Sequence, residues 1–156
     1  FQIIRLGRLV ERADMTTRVL GVAAAGILSL ESADRTDLVD DEVRWMSVLR
    51  SVSALQMYQR ATRGPIDGMA VVRFLLDYGA FPRSVQGCFD AIRRVCGELP
   101  ESSAVLDALS RAEAALAAAR PEREGGAELD RSMDTVQHAI AELSETICRR
   151  YVDGVM

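Results

Sequence analysis

The stretch Leu6-Gly7-Arg8-Leu9-Val10-Glu11-Arg12 belongs to an amphipathic pattern that decides the fold class. Small and apolar residues recur around it at alternating spacings of three and four, which is typical of a packed helix. These residues are Ile3, Leu6, Val10, Ala13, Thr17, Leu20, Ala24 and Ile27. A second apolar group falls roughly opposite them and consists of Ile4, Met15, Val19 and Val22. We therefore predict a long first helix that is apolar on both faces.

Three charged residues of this helix, Arg8, Glu11 and Arg12, form the candidate functional site. Arg8 and Glu11 fall within the second apolar group, and Arg12 falls at its edge. Because buried charges must be paired or must serve a site, two interpretations stay open. Either a salt-bridge network fixes the helix register, or the arginines hold a carboxylate or phosphate in a polar pocket. We expect Glu11→Ala to destabilise the fold more than Asp14→Ala, because Asp14 pairs with Arg18 at the surface.

Helical periodicity continues outward from this segment along the whole chain. Caps, glycines and prolines divide it into six predicted helices, at about 2–30, 40–61, 67–79, 83–97, 102–119 and 127–151. The last helix has its own apolar seam, formed by Leu129, Met133, Val136, Ile140, Leu143 and Ile147. No strand-like alternation competes with these patterns. The sequence predicts an all-α helical bundle of about six helices, in a single domain that spans 1–156.

Composition limits the classes of function. The formal net charge of −4 and the pI near 5.1 argue against a general nucleic-acid binder. All 19 basic residues are arginines, so this chain supplies no lysine nucleophile. Three cysteines, Cys88, Cys96 and Cys148, favour a reduced, cytoplasmic setting, and we expect the first two to be free and buried. No apolar run reaches membrane length without interruption, so we expect no membrane contact.

Weaker candidate sites have simple structural alternatives. Arg83 and Ser84 could hold an anion at a helix start, although a hydroxyl that caps the first turn is the favoured interpretation. A polar stripe on the last helix is better explained as a solvated face, and it consists of Asp134, His138, Glu142 and Glu145. The sequence shows no complete catalytic set, so we expect neither a metal site nor a cofactor.

A family resemblance rests on an ordered set of stretches. The block Leu6-Gly7-Arg8 with Glu11-Arg12 resembles the glutamate–arginine signature of the bacterial alpha-E domain family, a helical family of unknown function. The other matching stretches are 45–53, Tyr58, 63–67, 74–77, 81–84, 141–144 and 149–151. The turn Tyr78-Gly79-Ala80 departs from the family pattern. The resemblance covers nearly the whole chain.

The resemblance implies context more than chemistry. Family members have two related halves, and this chain is similar to the second, so we expect a fragment or half of a longer protein. They accompany a circularly permuted ATP-grasp ligase-like protein, which implies peptide ligation or modification. We expect a helical interaction domain whose partner is that protein or the other half of its own family fold, and we expect self-association of the isolated chain. The alternative is an enzyme or enzyme half-site for an amino-acyl or peptide substrate. Whether the chain is an enzyme stays open.

Overall fold

The computed structural model describes residues 1–32, 38–121 and 125–153, and within these ranges the chain forms seven α-helices and no strand. The helices are α1 (Gln2–Ser32), α2 (Leu38–Ser51), α3 (Leu55–Thr62), α4 (Gly68–Asp77), α5 (Val85–Cys96), α6 (Ser103–Ala118) and α7 (Gly126–Tyr151). The all-α prediction is confirmed.

Four of the helices, α1, α5, α6 and α7, form an antiparallel bundle. The start of α1 meets the end of α5, where the Gln2 amide donates to Glu98. The start of α7 meets the end of α1 so closely that a Cβ on Gly126 would lie 2.5 Å from Leu28 Cγ. The opposite end of α7 lies beside the start of α6, where Arg150 Nε donates to the Glu101 carbonyl. Neighbouring helices of the bundle therefore run in opposite directions.

The core lies between these four helices and is lined by their predicted apolar faces. In α1 the buried seam includes Leu6, Ala13, Leu20 and Ala24, each 0% exposed. In α7 all six predicted seam residues are buried. The buried face of α1 therefore matches the sequence pattern, except at its ends, where Ile3 and Ile27 are only partly covered.

The second predicted helix is two helices in the structure, so the prediction of one segment over 40–61 is wrong. Ser53 adopts a left-handed conformation with φ 56°, which no α-helix tolerates in its interior. The Ala54 N–H instead donates back to the Leu49 carbonyl at 2.7 Å and closes the end of α2. The residue that turns the chain at this break is a serine. Serine does not by itself predict a turn, so the sequence pattern did not reveal the break.

Helices α2, α3 and α4 form a small second layer beside α1 and α5. Trp45 of α2, 3% exposed, lies against the start of α4, where a Cβ on Gly68 would come within 2.5 Å of its Nε1. Tyr58 of α3 is fully buried, and its hydroxyl donates to the Pro65 carbonyl. Asp67 caps α4 by accepting from the Ala70 N–H.

Helix α1 also has the length and composition of a membrane-crossing helix over Gln2–Glu31, the single such segment among the residues that the structure describes. Charged residues such as Arg12, Asp14 and Arg18 interrupt this segment, so the prediction that no uninterrupted apolar run reaches membrane length stands. One face of α1 packs in the bundle against α5 and α7, and core helices of globular proteins meet the same criterion.

Candidate functional site on the outer face of the first helix

Arg8, Glu11 and Arg12 are all exposed, so the prediction that they lie in buried surroundings is wrong. The apolar group around them faces outward as well, with Ile4 63% exposed and Met15 53% exposed. The physical reason is that α5 and α7 cover the opposite face of α1, while no described helix lies over the first half of its outer face. Two apolar faces on one helix therefore do not imply two buried faces.

The outer face of α1 carries a regular seam of its own. Its residues follow the spacing 4-3-4-3-4, which is the spacing of a coiled-coil contact line. We call them the outer seam: Ile4, Arg8, Glu11, Met15, Arg18 and Val22. All six are exposed, and Val22 reaches 75%. The seam extends about 27 Å along the helix at 1.5 Å per residue.

The charges of the outer seam are only partly neutralised within the chain. Arg18 Nε donates to Asp14 Oδ2 at 2.6 Å, which confirms the predicted surface pair, and this hydrogen bond raises the Arg18 pKa. Within 1–32, 38–121 and 125–153, no side chain pairs with Arg8 or Glu11. Because all three side chains are exposed, they do not form the buried salt-bridge network that was one of the two predicted arrangements.

An apolar groove lies between α1 and α2, beside the second half of the outer seam, from Met15 to Val22. Its volume is about 580 Å³. Met15, Val19 and Val22 of α1 form one wall, and Val48 and Ser51 of α2 lie on the other. Small residues, among them Ala23, Gly26 and Ser47, also line the groove. Small and apolar lining residues leave room for large apolar side chains from another helix. Sequence reasoning missed this groove, because it depends on where α2 packs and no local pattern encodes that.

Arginines also border this groove. Arg18 and Arg44 belong to its lining, and each already pairs with a carboxylate on its own helix. The Arg44 Nη1–Asp41 Oδ1 distance is 3.0 Å. A guanidinium has five N–H donors, so each arginine that is engaged this way keeps further donors for another acceptor.

The side chains of Arg83 and Ser84, the candidate anion contact, are both engaged in hydrogen bonds within the chain. Ser84 is 0% exposed, and its Oγ accepts from the Gly87 N–H at 2.9 Å, which makes it the cap of α5. Arg83 Nη1 donates to the Val52 carbonyl at 3.1 Å, an acceptor that the break after α2 leaves free. The Arg83 carbonyl in turn accepts from the Thr16 hydroxyl at 2.7 Å. This pair therefore ties α1, α2 and α5 together, and the capping interpretation is confirmed.

The remaining candidate residues are accounted for by burial or solvation. Burial raises the pKa of the Cys88 thiol to about 11, although the nearby Arg12 charge opposes the shift. Burial also raises the Cys96 pKa, and both cysteines are buried and free, as predicted, whereas Cys148 is exposed. The stripe on α7 is solvated, with His138 81% exposed in its contact with Glu142. In the part of the chain that the structure describes, no three His, Cys, Asp or Glu side chains are grouped to hold a metal.

One comparison with known proteins is informative. Residues 1–152 match the model of a family that is described as a predicted alpha-helical domain with a conserved ER motif. The chain contains that dipeptide at Glu11-Arg12, on the outer face of α1, and again at 122–123, outside the described residues. No curated protein and no solved structure matches the chain significantly.

Proposed function

Because the chain belongs to the Alpha-E family, we propose that it is a helical interaction domain that binds a protein partner through the outer face of α1. The observation that carries this proposal is the exposure of Arg8, Glu11 and Arg12 beside Ile4 and Met15. A motif that contributed only to stability would be expected in the core. Charged and apolar groups that share one exposed helix face are typical of a contact surface.

The alternative is an enzyme half-site in which Arg8, Glu11 and Arg12 bind an amino-acyl or peptide substrate. The geometry favours it less, because the groove between α1 and α2 is not lined by Arg8 or Arg12. A catalytic site needs groups that converge on a reacting atom and exclude water. The trio on this surface would need a partner to close over it before it could act in that way.

The partner we propose is an ATP-grasp ligase-like protein, in line with the family context, and the domain would hold that enzyme or its peptide substrate. The other half of the family fold is the second candidate for the same surface. Three free cysteines, one of them exposed, suit the cytoplasmic setting that such a ligase would share.

Reconstitution with an ATP-grasp ligase-like protein tests this proposal. We expect the purified domain to lack ATPase activity and to form a complex in gel filtration. Arg8→Glu and Arg12→Glu should weaken the complex, because they reverse the charge on the contact face. Arg131→Glu, an exposed arginine on α7, is the control that separates a local effect from overall charge. Failure of the two proteins to associate would contradict the assignment of this partner.

The same assay decides the alternative if product and complex are measured separately. Arg8→Lys and Arg12→Lys keep the charge but remove the planar fork that binds a carboxylate in two places. We expect both variants to keep the complex and the yield of product. Loss of product with an intact complex would overturn the interaction domain and support the enzyme half-site.

A further inference from the structure

The outer seam and the adjoining groove form one continuous surface that no described part of the chain covers. Met15, Arg18 and Val22 belong to both, so the groove continues the line that begins at Ile4. The apolar members of the seam stand at positions 4, 15 and 22, intervals at which one straight helix laid along α1 could touch all three. A surface about 27 Å long and one helix wide fits a single helix of about five turns.

The charge on this surface differs from that of the whole chain. The first eighteen residues contain Arg5, Arg8, Arg12 and Arg18. Against them stand only Glu11 and Asp14, and Asp14 is already paired with Arg18. The chain as a whole carries a formal net charge of −4, so the exposed charges of the first half of α1 are predominantly basic on an acidic protein. Two copies that met through this surface would bring these arginines together, which disfavours a second copy as its occupant, in contrast to the self-association expected from the sequence.

Small residues shape the upper part of the surface. The groove is lined in part by small residues: Ala23 and Gly26 of α1, and Ser47 and Ser51 of α2. These side chains let the backbone of a partner helix come close, and the larger Met15 and Val22 limit its approach. Helices pack at interaxial distances of about 8–10 Å, and small residues on one side allow the lower value. Large apolar side chains of a partner can therefore lie between α1 and α2.

We propose that this surface binds an amphipathic helix with acidic flanks. The inference rests on the proposed function and specifies the partner segment. The apolar stripe of that helix packs on Ile4, Met15 and Val22. The part of the stripe that lies over Met15 and Val22 enters the groove beside Val48. Carboxylates that flank the stripe pair with Arg8 and Arg12, which have no acidic partner among the described residues.

A synthetic helical peptide of about 20 residues tests the proposal directly. Its leucines occupy positions a and d, and glutamates occupy positions e and g, where their mutual repulsion keeps the free peptide monomeric. The matched control peptide has lysine in place of every glutamate. We expect the acidic peptide to bind the domain at least about tenfold more tightly than the lysine peptide, by calorimetry at low salt. Equal affinities would overturn the proposal.

Variants of the domain locate the peptide. Val22→Glu should weaken binding of the acidic peptide by about tenfold or more, since it places a charge in the groove. Arg12→Glu should weaken it by a smaller factor and reduce its salt dependence. The matched controls are Val152→Glu, a 53% exposed valine at the end of α7, and Arg131→Glu, an exposed arginine on the same helix. An unchanged affinity for Val22→Glu and Arg12→Glu would overturn the site.

Two further measurements separate this inference from the proposed function. If the ATP-grasp protein binds Val22→Glu as tightly as it binds the unaltered domain while Arg8→Glu weakens its complex, the interaction domain stands and the acidic-helix site fails. If that protein does not bind but the acidic peptide follows the expected pattern, the partner is wrong and the site stands. Sedimentation of the free domain completes the test, because a dimer that Val22→Glu dissociates would make a second copy the occupant and overturn the acidic helix.

Discussion

Ser84 and Glu11 are both polar residues beside helix backbones, but they stand in opposite surroundings. Ser84 is fully buried, and its hydroxyl contacts the Tyr78 and Phe81 carbonyls and the Gly87 N–H. Glu11 is exposed and has no side-chain partner in the described ranges. The free energy of unfolding should therefore depend on the serine and not on the glutamate, although the sequence pattern drew attention to the glutamate.

Glu11→Ala and Asp14→Ala should each change the free energy of unfolding by less than about 1 kcal/mol. This reverses the expectation from the sequence, because Glu11 is not a buried charge. Ser84→Ala should cost about 1–2 kcal/mol, since α5 loses its cap. Urea denaturation measures all three, with exposed Ser103→Ala as the control for loss of a hydroxyl. A large effect of Glu11→Ala alone would contradict the exposed placement.

Alkaline pH should destabilise the fold through Cys88. Its pKa is raised by burial from 9.0 to about 11, so the folded state keeps its proton where the unfolded state loses it. The stabilising contribution is complete below pH 9 and is lost as the pH rises towards about 11. We expect the stability of Cys88→Ala to depend less on pH across this window. Identical pH profiles for the two proteins would show that the buried thiol contributes nothing.

Among the helices, α3 shows how a local conformation limits stability. It ends at Arg63, which is left-handed with φ 50° and whose N–H donates to the Gln59 carbonyl at 3.1 Å. Glycine is the residue that adopts this conformation without steric cost, and it is common at such helix ends. The arginine therefore introduces a small strain at the point where the chain turns towards α4.

Arg63→Gly should stabilise the protein by up to about 1 kcal/mol, because it removes the left-handed strain of a side chain. Arg60→Gly, three residues earlier within α3, should destabilise it by about 1 kcal/mol, because glycine is costly in a helix interior. Thermal melts compare the two directly. A loss of stability at both positions would show that the Arg63 side chain contributes more than its strained backbone costs.

Periodicity predicted the helices well, and its failures occur where tertiary placement decides. The seam of α7 follows from its sequence, since a single apolar face must be covered. In α1 two faces compete, and only the position of α2 determines that Val19 and Ala23 are partly or fully covered while Val22 is exposed. At the break near Ser53, the Val52 carbonyl accepts a hydrogen bond from Arg83, a residue far along the chain that no local pattern points to. The three candidate residues therefore lie on a helix, as the sequence predicted, but they are exposed and not buried.

On the scale of the whole molecule, α1 connects the four-helix bundle to the small layer formed by α2, α3 and α4. Leu20 is 0% exposed within the bundle, and the Thr16 hydroxyl reaches Arg83 near the junction with the small layer. Arg83 also holds the end of α2. A substitution that destabilises the bundle should consequently destabilise the small layer as well.

Leu20→Ala should lower the free energy of unfolding by about 2–5 kcal/mol, through the cavity it leaves. The single tryptophan, Trp45, reports the small layer by fluorescence, while far-ultraviolet circular dichroism reports mainly the bundle. We expect both signals to change at one denaturant concentration in the unaltered protein and to shift together in the variant. Separate transitions would show that the small layer unfolds independently.

The mixture of charges and apolar groups along the outer seam has a consequence for how long a partner stays. Obligate interfaces resemble a protein core, whereas Arg8, Glu11 and Arg18 occupy half of this contact line. Such a surface is stable in water when empty, so the domain can release its partner without unfolding. We expect dissociation to become faster as ionic strength rises, since screening weakens the charged contacts first. The residence time of the proposed complex would then depend on ionic strength and on competition from other acidic helices. Such a domain could exchange between different assemblies.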